Sequence, residues 1–389
     1  MANAFSKEER VAFEDILEGF NDALVLSRNV ATYSTDSTMM ERTNDIIWRP
    51  QPYIATSIDG APGTDISASY KNMTQLSVPA TIGFSKTVPW TLNAKELRDA
   101  LQENRLGDSA KQKLASDINV ALMNVASAQG TLFVKRAAAA TGFDDVAQAE
   151  AIFNEQGVPS YDRYLALSTR DYNGMASNLA GRQNVTDLPK EAYRRAYVGM
   201  IASFDTYKLD YANRVAAAGG AGLTIDTRDV AVNYYIPQAT SASVGGKINV
   251  DNRYQTVTVS STASVAAGDA FTIAAVNAVH HITKQDTGQL KTFRVISVTN
   301  GTTMVISPPI ISNQVANDAS AQYQNCVVNT KSATSAIVFL NTVAGYANPF
   351  WQRDALEILP GRYAVPSDAG TAVMRASTDQ GIELVMQKF

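Results

Sequence analysis

The chain has 389 residues, of which 45% are hydrophobic and 18% charged, and its formal net charge is −4. Without a basic stripe it does not look like a dedicated nucleic-acid-binding protein, and its single cysteine, Cys326, excludes an internal disulfide. The N-terminus lacks the pattern of a secretion signal and no apolar run reaches the ~18–20 residues of a membrane span, so we expect a soluble protein used without export.

The first predicted element is a helix over residues 6–27. Ser6 and Glu9 have the spacing of a capping box, which satisfies two free backbone donors. One helical face is apolar and is formed by Phe13, Ile16, Leu17, Phe20 and Leu24. This pattern fits either an ordinary core helix or an N-terminal arm that docks on a neighbouring chain.

Residues 45–92 contain five prolines and no helical period. Apolar and polar side chains alternate in two short stretches, which are formed by Thr74, Leu76 and Val78 and by Ile82 and Phe84. The segment is predicted to be a long extended loop or a β-hairpin. A loop of this length is unusual inside a compact domain unless it packs on something else, which suggests an intermolecular arm.

Residues 93–129 have a strong helical pattern. Asn93 is a suitable N-cap for a first helix over Ala94–Glu103, and "GDS" at 107–109 is predicted to break the helix and start another. The second helix carries an apolar stripe formed by Leu114, Ile118, Ala121, Leu122 and Val125, and it ends before Gly130. Its ~20 residues would span about 30 Å, long enough for a spine across a flat domain.

Residues 144–217 are predicted to mix helices and strands. A helix in "DDVAQAEAIFNEQGVP" is stopped by Gly157 and Pro159, and "RYLALST" is a short buried strand. A further helix opens at Pro189 in "PKEAYRRAYVGMIASFDTY". The segment therefore indicates a mixed α/β domain.

The stretch "AAAGGAG" at 216–222 reads as a linker, and almost everything from there to about residue 330 reads as β. The candidate strands are Val230–Tyr235, Thr256–Ser260, Ala270–Val276, Thr292–Val298, Thr303–Ser307 and Cys326–Asn329. Short strands separated by turn signals indicate a small barrel or sandwich. Mixed structure resumes in 334–361, so the β-block is interpreted as an insertion into another domain.

The sequence offers few residues for catalysis. The only histidines, His280 and His281, are adjacent, and neighbours in a strand point to opposite faces. We therefore expect one ring to be half-buried and the other solvated, with no shared metal ion. Cys326 is expected to be buried and inert, and Asp144 and Asp145 to stabilise a helix N-terminus. The motifs of serine hydrolases, phosphate-binding loops and dinucleotide-binding folds are absent from the sequence. No catalytic, cofactor-binding or metal-ligating residue is predicted, and no cofactor.

Four segments resemble one protein family in the same order: "NDIIWRPQP" at 44–52, then 92–134, 245–276 and 348–359. They resemble the major capsid proteins of tailed bacteriophages, the fold named after phage Hong Kong ninety-seven. The similarity extends to the coat proteins of short-tailed Salmonella phages, whose capsid fold carries an inserted β-barrel. None of these segments is a catalytic signature, so the order and spacing carry the resemblance.

The resemblance implies an α+β capsid fold with an inserted all-β barrel domain. The implied parts are an N-terminal arm at 1–44, an extended loop at 45–91, a peripheral domain with the spine helix at 92–154 and 373–389, an axial domain at 155–221 and 331–372, and the inserted barrel at 222–330. The β-block would then be a folded passenger between the two halves of the axial domain.

The resemblance also implies the function and its partners. The chain would be a major coat protein that self-assembles into hexamers and pentamers of an icosahedral shell around double-stranded DNA, without sequence-specific binding to that DNA. Scaffolding and portal proteins would take part in assembly in the host cytoplasm, the product would be the virion capsid, and no membrane would be involved. In relatives an early loop of the insertion carries acidic residues that pair between capsomers. The corresponding residues 238–253 here hold only three charges, Lys247, Asp251 and Arg253.

A second class of function is compatible with the same elements. The β-insertion could serve a carbohydrate- or surface-binding protein, and an enzyme without a recognised motif is a further alternative. Closed particles of uniform size would indicate the shell protein, whereas a monomer that binds glycans would indicate the second class.

Overall fold

The computed structural model describes residues 10, 13, 26–33, 46–52, 55, 57–58, 60, 63, 65–91, 100–135, 142–180, 198–209, 211–226, 233–241, 248–330, 333–361, 371–378 and 381–388. The chain forms two compact units. The first consists of Met1–Ile47, Ala80–Asn124 and Trp351–Phe389, and the second of Trp48–Pro79 and Val125–Phe350.

Four helices are described: α1 (Ala100–Gln129), α2 (Phe143–Gln156), α3 (Thr169–Ala180) and α4 (Asp318–Tyr323). The strands are β1 (Ala31–Thr32), β2 (Ile46–Pro50), β3 (Ser77–Thr81), β4 (Arg163–Ser168), β5 (Met200–Ile201), β6 (Phe204–Leu209), β7 (Arg214–Val215), β8 (Thr224–Ile225), β9 (Gln255–Thr258), β10 (Ala270–Val279), β11 (Asp286–Asn300), β12 (Thr303–Ser307), β13 (Cys326–Val328), β14 (Ser335–Phe339), β15 (Gly345–Tyr346), β16 (Phe350–Gln352), β17 (Glu357–Ile358), β18 (Ala372–Ser377) and β19 (Glu383–Lys388). Short 3₁₀ turns occur at Ser27–Asn29, Ser67–Ser69 and Arg353–Ala355.

The predicted N-terminal helix over 6–27 lies mostly outside the described residues. Arg10 and Phe13 are helical, and the Phe13 side chain is buried. After the turn at Ser27–Asn29, β1 pairs in parallel with β17. The Trp351 indole Nε1–H donates to the Asn29 carbonyl oxygen at 3.0 Å, which ties this segment to the C-terminal part of the first unit.

The spine helix is one continuous helix of 30 residues, α1, so the predicted break at 107–109 is wrong. A glycine inside a helix costs only about 1 kcal/mol relative to alanine, which a helix this long can absorb. Asp108 supports the helix locally, because its carboxylate accepts from the Lys111 ammonium at 2.9 Å, three residues further along. The predicted start near Ala94 falls outside the described residues.

The middle of the chain forms a four-stranded sheet in the order β16-β4-β6-β5, covered by α2 and α3. The helix α2 and the strand β4 lie where the sequence predicts them. The helix predicted from Pro189 is wrong at its C-terminal end, because 200–209 form β5 and β6 and not helix. The start of that helix lies outside the described residues. The buried core comprises Val146, Ala149, Phe153, Leu165, Leu167, Tyr172, Met175, Ala176, Val198 and Phe204.

Arg163 is a fully buried charged residue at the centre of this core, with a side chain only 2% exposed. Its guanidinium donates to the carbonyl oxygens of Pro159 and Val158 at 2.8 and 2.7 Å and to Asn154 Oδ1 at 2.8 Å. The Phe153 ring lies 5.3 Å from the guanidinium carbon. The fixed fork of donors therefore ties the end of α2 to the start of β4, while burial lowers the pKa of Arg163.

The β-block forms a sheet in the order β8-β14-β10-β11-β12-β9, with β13 paired to one part of β10. An antiparallel bridge between Ile225 and Val259 brings its two ends together, so the sheet is a nearly closed barrel. Its interior is filled by side chains of Leu223, Ile225, Tyr234, Val257, Val259, Phe271, Ile273, Val276, Phe293, Val295, Met304, Ile306, Ile310, Cys326, Val328, Ile337 and Phe339. The prediction of an inserted β-barrel is confirmed, but the segment is not all-β, because it also contains the helix α4.

Most strands of the barrel match the predicted ones, with β12 matching at both ends. The predicted strand Val230–Tyr235 is wrong for 233–235, which are not part of a strand, and its other residues lie outside the described ones. Two barrel strands were not predicted, β8 and β14. Since β14 pairs with β10, the sheet continues beyond the expected end of the insertion at residue 330.

Replacing Arg163 by lysine should destabilise the monomer. Lysine keeps the charge but loses the planar fork, so buried carbonyl groups lose their donors, and we expect a loss of about 2–4 kcal/mol. Urea unfolding followed by circular dichroism measures the change. Arg170→Lys, at an exposed position of α3, is the matched control. Equal unfolding midpoints for the two variants would contradict the role given to Arg163.

Candidate functional site

The two histidines lie in the turn that follows β10 and not within a strand, so the expected divergence by strand alternation does not apply. His280 is partly buried and His281 is exposed. The main-chain N–H of His281 donates to the Gln156 carbonyl oxygen at the end of α2, at 3.0 Å. Partial desolvation lowers the pKa of His281, and the charges of Lys284 and Lys291 act in the same direction.

The His280 ring packs on Gly157, the residue that ends α2. Gly157 has a φ of 79°, and a Cβ built there would lie 2.9 Å from Cε1 and Nε2 of His280. Glycine is favoured at this position for two reasons. It readily adopts the left-handed conformation that ends the helix, and its lack of a side chain leaves room for the His280 ring. The geometry gives the histidine pair a structural role, joining the β10–β11 turn to the helix.

Cys326 is fully buried in the barrel, and its Sγ lies 3.4 Å from the Ile311 carbonyl oxygen. Burial raises the pKa of the Cys326 thiol to about 12, although the charge of nearby Lys291 acts in the opposite direction. Burial also lowers the pKa of Lys291. A protonated thiol without solvent access is a poor nucleophile, which agrees with the predicted inert cysteine.

Of the two acidic residues singled out from the sequence, Asp145 has a structural partner. Asp145 Oδ2 accepts from the Gly142 N–H at 3.2 Å, so the carboxylate caps the start of α2 as predicted. Within the described part of the chain, no group of three or more histidine, cysteine, aspartate or glutamate residues is arranged to hold a metal ion. Among those residues there is also no helix with the length and apolar character needed to span a bilayer.

The extended loop exposes large apolar side chains. Its strands β2 and β3 pair in a two-stranded sheet, and these strands with the residues next to them are the base of the loop. The exposed fractions are 47% for Ile58, 40% for Ile66, 79% for Tyr70 and 58% for Met73. Several apolar side chains open to solvent on one loop are typical of a surface that contacts another protein.

The base of the loop is covered by its own chain, which the sequence did not predict. Leu76 is 1% exposed and belongs to a small cluster with Ile311 and Tyr323 of the β-block. The expectation that another subunit covers the loop's apolar side chains is therefore wrong at Leu76. The covering helix α4 has only six residues, too few for a periodic signal, and Asn317 as its N-cap is the sole local sign of it.

The described residues of 238–253 are connected to one another by their own polar groups. Asp251 and Arg253 form a salt bridge with a 2.7 Å contact between Oδ2 and Nη2. The Asn252 side chain accepts from the Gln238 N–H at 3.0 Å and donates to its carbonyl oxygen at 2.9 Å. Lys247 lies outside the described residues. The two described charges thus neutralise each other within one subunit.

The barrel also holds the chain where it leaves the spine helix. Arg294 of β11 donates to the Gly130 carbonyl oxygen at 2.7 Å, and its guanidinium carbon lies 5.2 Å from the Phe133 ring centre. Burial lowers the pKa of Arg294 to about 10, so it remains charged at neutral pH. Thr292 Oγ1 donates to the Thr131 carbonyl oxygen at 2.5 Å. The β-block is therefore fastened to neighbouring parts of its unit by several separate contacts.

Comparison with known proteins identifies the family of this chain. The model of the family described as P22 coat protein, gene protein 5, matches residues 1–389. Among solved structures, the CUS-3 coat protein I-domain is 40% identical, covers 32% of this chain and 99% of its own, and has a TM-score of 0.23.

Two larger structures are more distant. A chain from Mycobacterium phage Che8 is 12% identical with a TM-score of 0.37, covering 80% of this chain and 89% of its own. The capsid of Cyanophage P-SCSP1u is 14% identical with a TM-score of 0.30, covering 82% of this chain and 84% of its own.

The whole-length family match agrees with the α+β capsid fold, the inserted β-barrel and the exposed loop. The chain therefore belongs to the P22 coat protein family and is a major capsid protein of a tailed phage that self-assembles into a shell.

Proposed function

We propose that copies of this chain form the hexamers and pentamers of an icosahedral shell, with the extended loop at 45–91 as an arm between subunits. The observation that carries this proposal is the row of exposed apolar side chains on the loop of a coat-family chain: Ile58, Ile66, Tyr70 and Met73. Water contact with such side chains is unfavourable, and another subunit would remove it.

Weak contacts are sufficient for such a shell. A contact of micromolar affinity contributes about 8 kcal/mol, and several per subunit close on themselves in a symmetric particle. Each contact can still dissociate singly, so a misplaced subunit can leave before the shell is complete. Closed particles of uniform size in negative-stain electron microscopy of the assembled protein would support the proposal.

The other partners follow from the same proposal. Double-stranded DNA would be packaged inside without sequence-specific binding, in line with the net charge of −4. Scaffolding and portal proteins would assist assembly in the host cytoplasm, where the single, buried Cys326 would stay reduced.

We also propose the domain limits: an N-terminal arm at 1–44, the loop at 45–91, a peripheral domain at 92–154 and 373–389, and an axial domain on both sides of the insertion. The pairing of β14 with β10 supports moving the end of the inserted barrel from 330 to about 343. Asn341 belongs with it, because its Nδ2 donates to Asp269 Oδ1 at 2.9 Å.

The chain is further proposed to have no catalytic or metal site. Support comes from the structural role of the family, from the packing of His280 on Gly157 and from the burial of Cys326. Catalysis would need reactive groups that are open to a substrate. The His280 ring and the Cys326 thiol instead pack against other parts of the fold.

Removing the tip of the loop should separate folding from assembly. A variant that lacks residues 58–70 keeps Leu76 and its contacts with Tyr323, so the monomer should melt within a few degrees of the wild type. Three of the four exposed apolar side chains, those of Ile58, Ile66 and Tyr70, are lost, and closed particles should not form. Circular dichroism melting and electron microscopy measure the two outcomes. Normal shells from this variant would show that the tip of the loop is not required for assembly.

The inserted barrel should fold as an isolated fragment, provided that β14 is included. Residues 216–343 contain the whole sheet and should show a cooperative melt, since more than 100 residues can bury a sufficient core. The matched fragment 216–330 lacks β14 and leaves the edge of β10 unpaired at Phe271, Thr272 and Ile273, so it should melt at a lower temperature or not fold. Equal stability of the two fragments would restore the boundary at 330.

Changing both histidines to alanine should leave assembly unchanged. Full-length protein with His280→Ala and His281→Ala is expected to form shells like the wild type, and metal analysis should find no bound metal in either. Stoichiometric metal in the wild type that disappears in the double variant would show that the pair is a metal site.

A further inference from the structure

The helix α4 of the β-block lies against the base of the extended loop, and two of its side chains bond to the loop's main chain. The Asp318 carboxylate accepts from the Asn72 N–H at 3.2 Å. The Gln322 side chain bonds in both directions: its Nε2 donates to the Asn72 carbonyl oxygen at 2.9 Å, and its Oε1 accepts from the Thr74 N–H at 3.1 Å.

Tyr323 continues the same pattern one step further along the loop. Its hydroxyl donates to the Thr74 carbonyl oxygen at 2.9 Å and accepts from the Leu76 N–H at 3.3 Å. The bonded residues alternate along the loop, as they do along one edge of a β-strand. Three side chains from one helix therefore occupy the place that a neighbouring strand would take.

The Gln322 and Tyr323 side chains are buried where they make these bonds. Gln322 is 5% exposed and Tyr323 is 8% exposed, and buried polar groups of this kind need hydrogen-bond partners. The loop's main chain supplies those partners. Asn317 fixes the helix itself, because its Oδ1 accepts from the Ala319 N–H at 2.9 Å.

The loop base is also bonded to the segment that enters the loop. The Gln51 N–H donates to the Leu76 carbonyl oxygen at 2.8 Å, and Gln75 Nε2 donates to the Gln51 carbonyl oxygen at 2.8 Å. The base is thus bonded both to α4 and to Gln51, whereas Ile66 and Tyr70, earlier in the loop, are exposed.

We propose that Asp318, Gln322 and Tyr323 form a loop clamp, which fixes residues 72–76 in an extended direction within each subunit before it meets another copy. The clamp rests on the proposed function of the loop as an arm between subunits and adds a role for the inserted barrel. A loop that is already directed loses less conformational freedom on binding, so the clamp favours assembly by preorganisation.

Hydrogen exchange on the full-length monomer tests the clamp directly. Gln322→Met removes both polar contacts at similar size, and Tyr323→Phe removes only the hydroxyl. With both changes, exchange at the amides of Thr74 and Leu76 should become at least about tenfold faster, because their acceptors are lost. Strands β10 to β12 should keep their protection. The monomeric state is verified by sedimentation velocity.

Gln324→Met is the matched control. Gln324 lies just after α4 and donates to the Cys326 carbonyl oxygen at 3.2 Å, within the β-block and away from the loop. This variant should leave the exchange of 72–76 unchanged. Should the double variant fail to fold, Tyr323→Phe alone provides the comparison, since it keeps the ring in the cluster with Leu76 and Ile311.

Assembly provides the second readout. The protein concentration needed for particle formation, measured by light scattering, should rise severalfold in the clamp variants and not in the control. Equal exchange at 72–76 in wild type and variants would overturn the clamp. Faster exchange with an unchanged assembly threshold would overturn preorganisation. If the wild type itself forms no particles, the proposed function fails, while monomer exchange still reports on the clamp.

Discussion

The architecture of the β-block depends on a single bend in β10, at Ala275. One edge of β10 pairs with β11 on both sides of an irregularity between Thr272 and Asn277, while the other edge pairs first with β14 and then, after the bend, with β13. Ala275 has a φ of 63°, a conformation that costs an alanine about 1–2 kcal/mol. The bend lets one strand serve two partners, and the resulting curvature brings Ile225 and Val259 together to close the barrel.

The same bend also affects which other segments of the chain the barrel contacts. Since β13 follows α4 after a short connection, the pairing of β13 with β10 sets the position of α4 beside the extended loop. On another side, Arg294 of β11 reaches the chain leaving the spine helix at Gly130, and the β10–β11 turn meets the end of α2. The β-block thus contacts three segments that precede it in the sequence, which are the extended loop, the chain after the spine helix and the end of α2.

Local patterns were sufficient for much of this fold. Alternation and turn signals located β9 to β13, and the helical period located α2 and most of α1. Errors arose where nonlocal pairing or chain length decided the outcome. Gly107 was read as a break because the stability of a 30-residue helix cannot be seen in a short window. The strand β14 was missed because its pairing with residues more than 60 positions earlier is invisible in its own sequence.

The candidate assembly surface was predictable only in part. The length and proline content of 45–92 indicated an arm, but the contact with α4 joins residues about 250 positions apart through side-chain bonds to the main chain. Such bonds leave no periodic pattern in the sequence. They also determine which substitutions the loop can accept. At Asn72 and Thr74 only main-chain atoms meet α4 in these bonds, so we expect substitutions there, other than by proline, to leave the bonds in place. The arm can therefore alter its chemistry toward a partner without losing its direction.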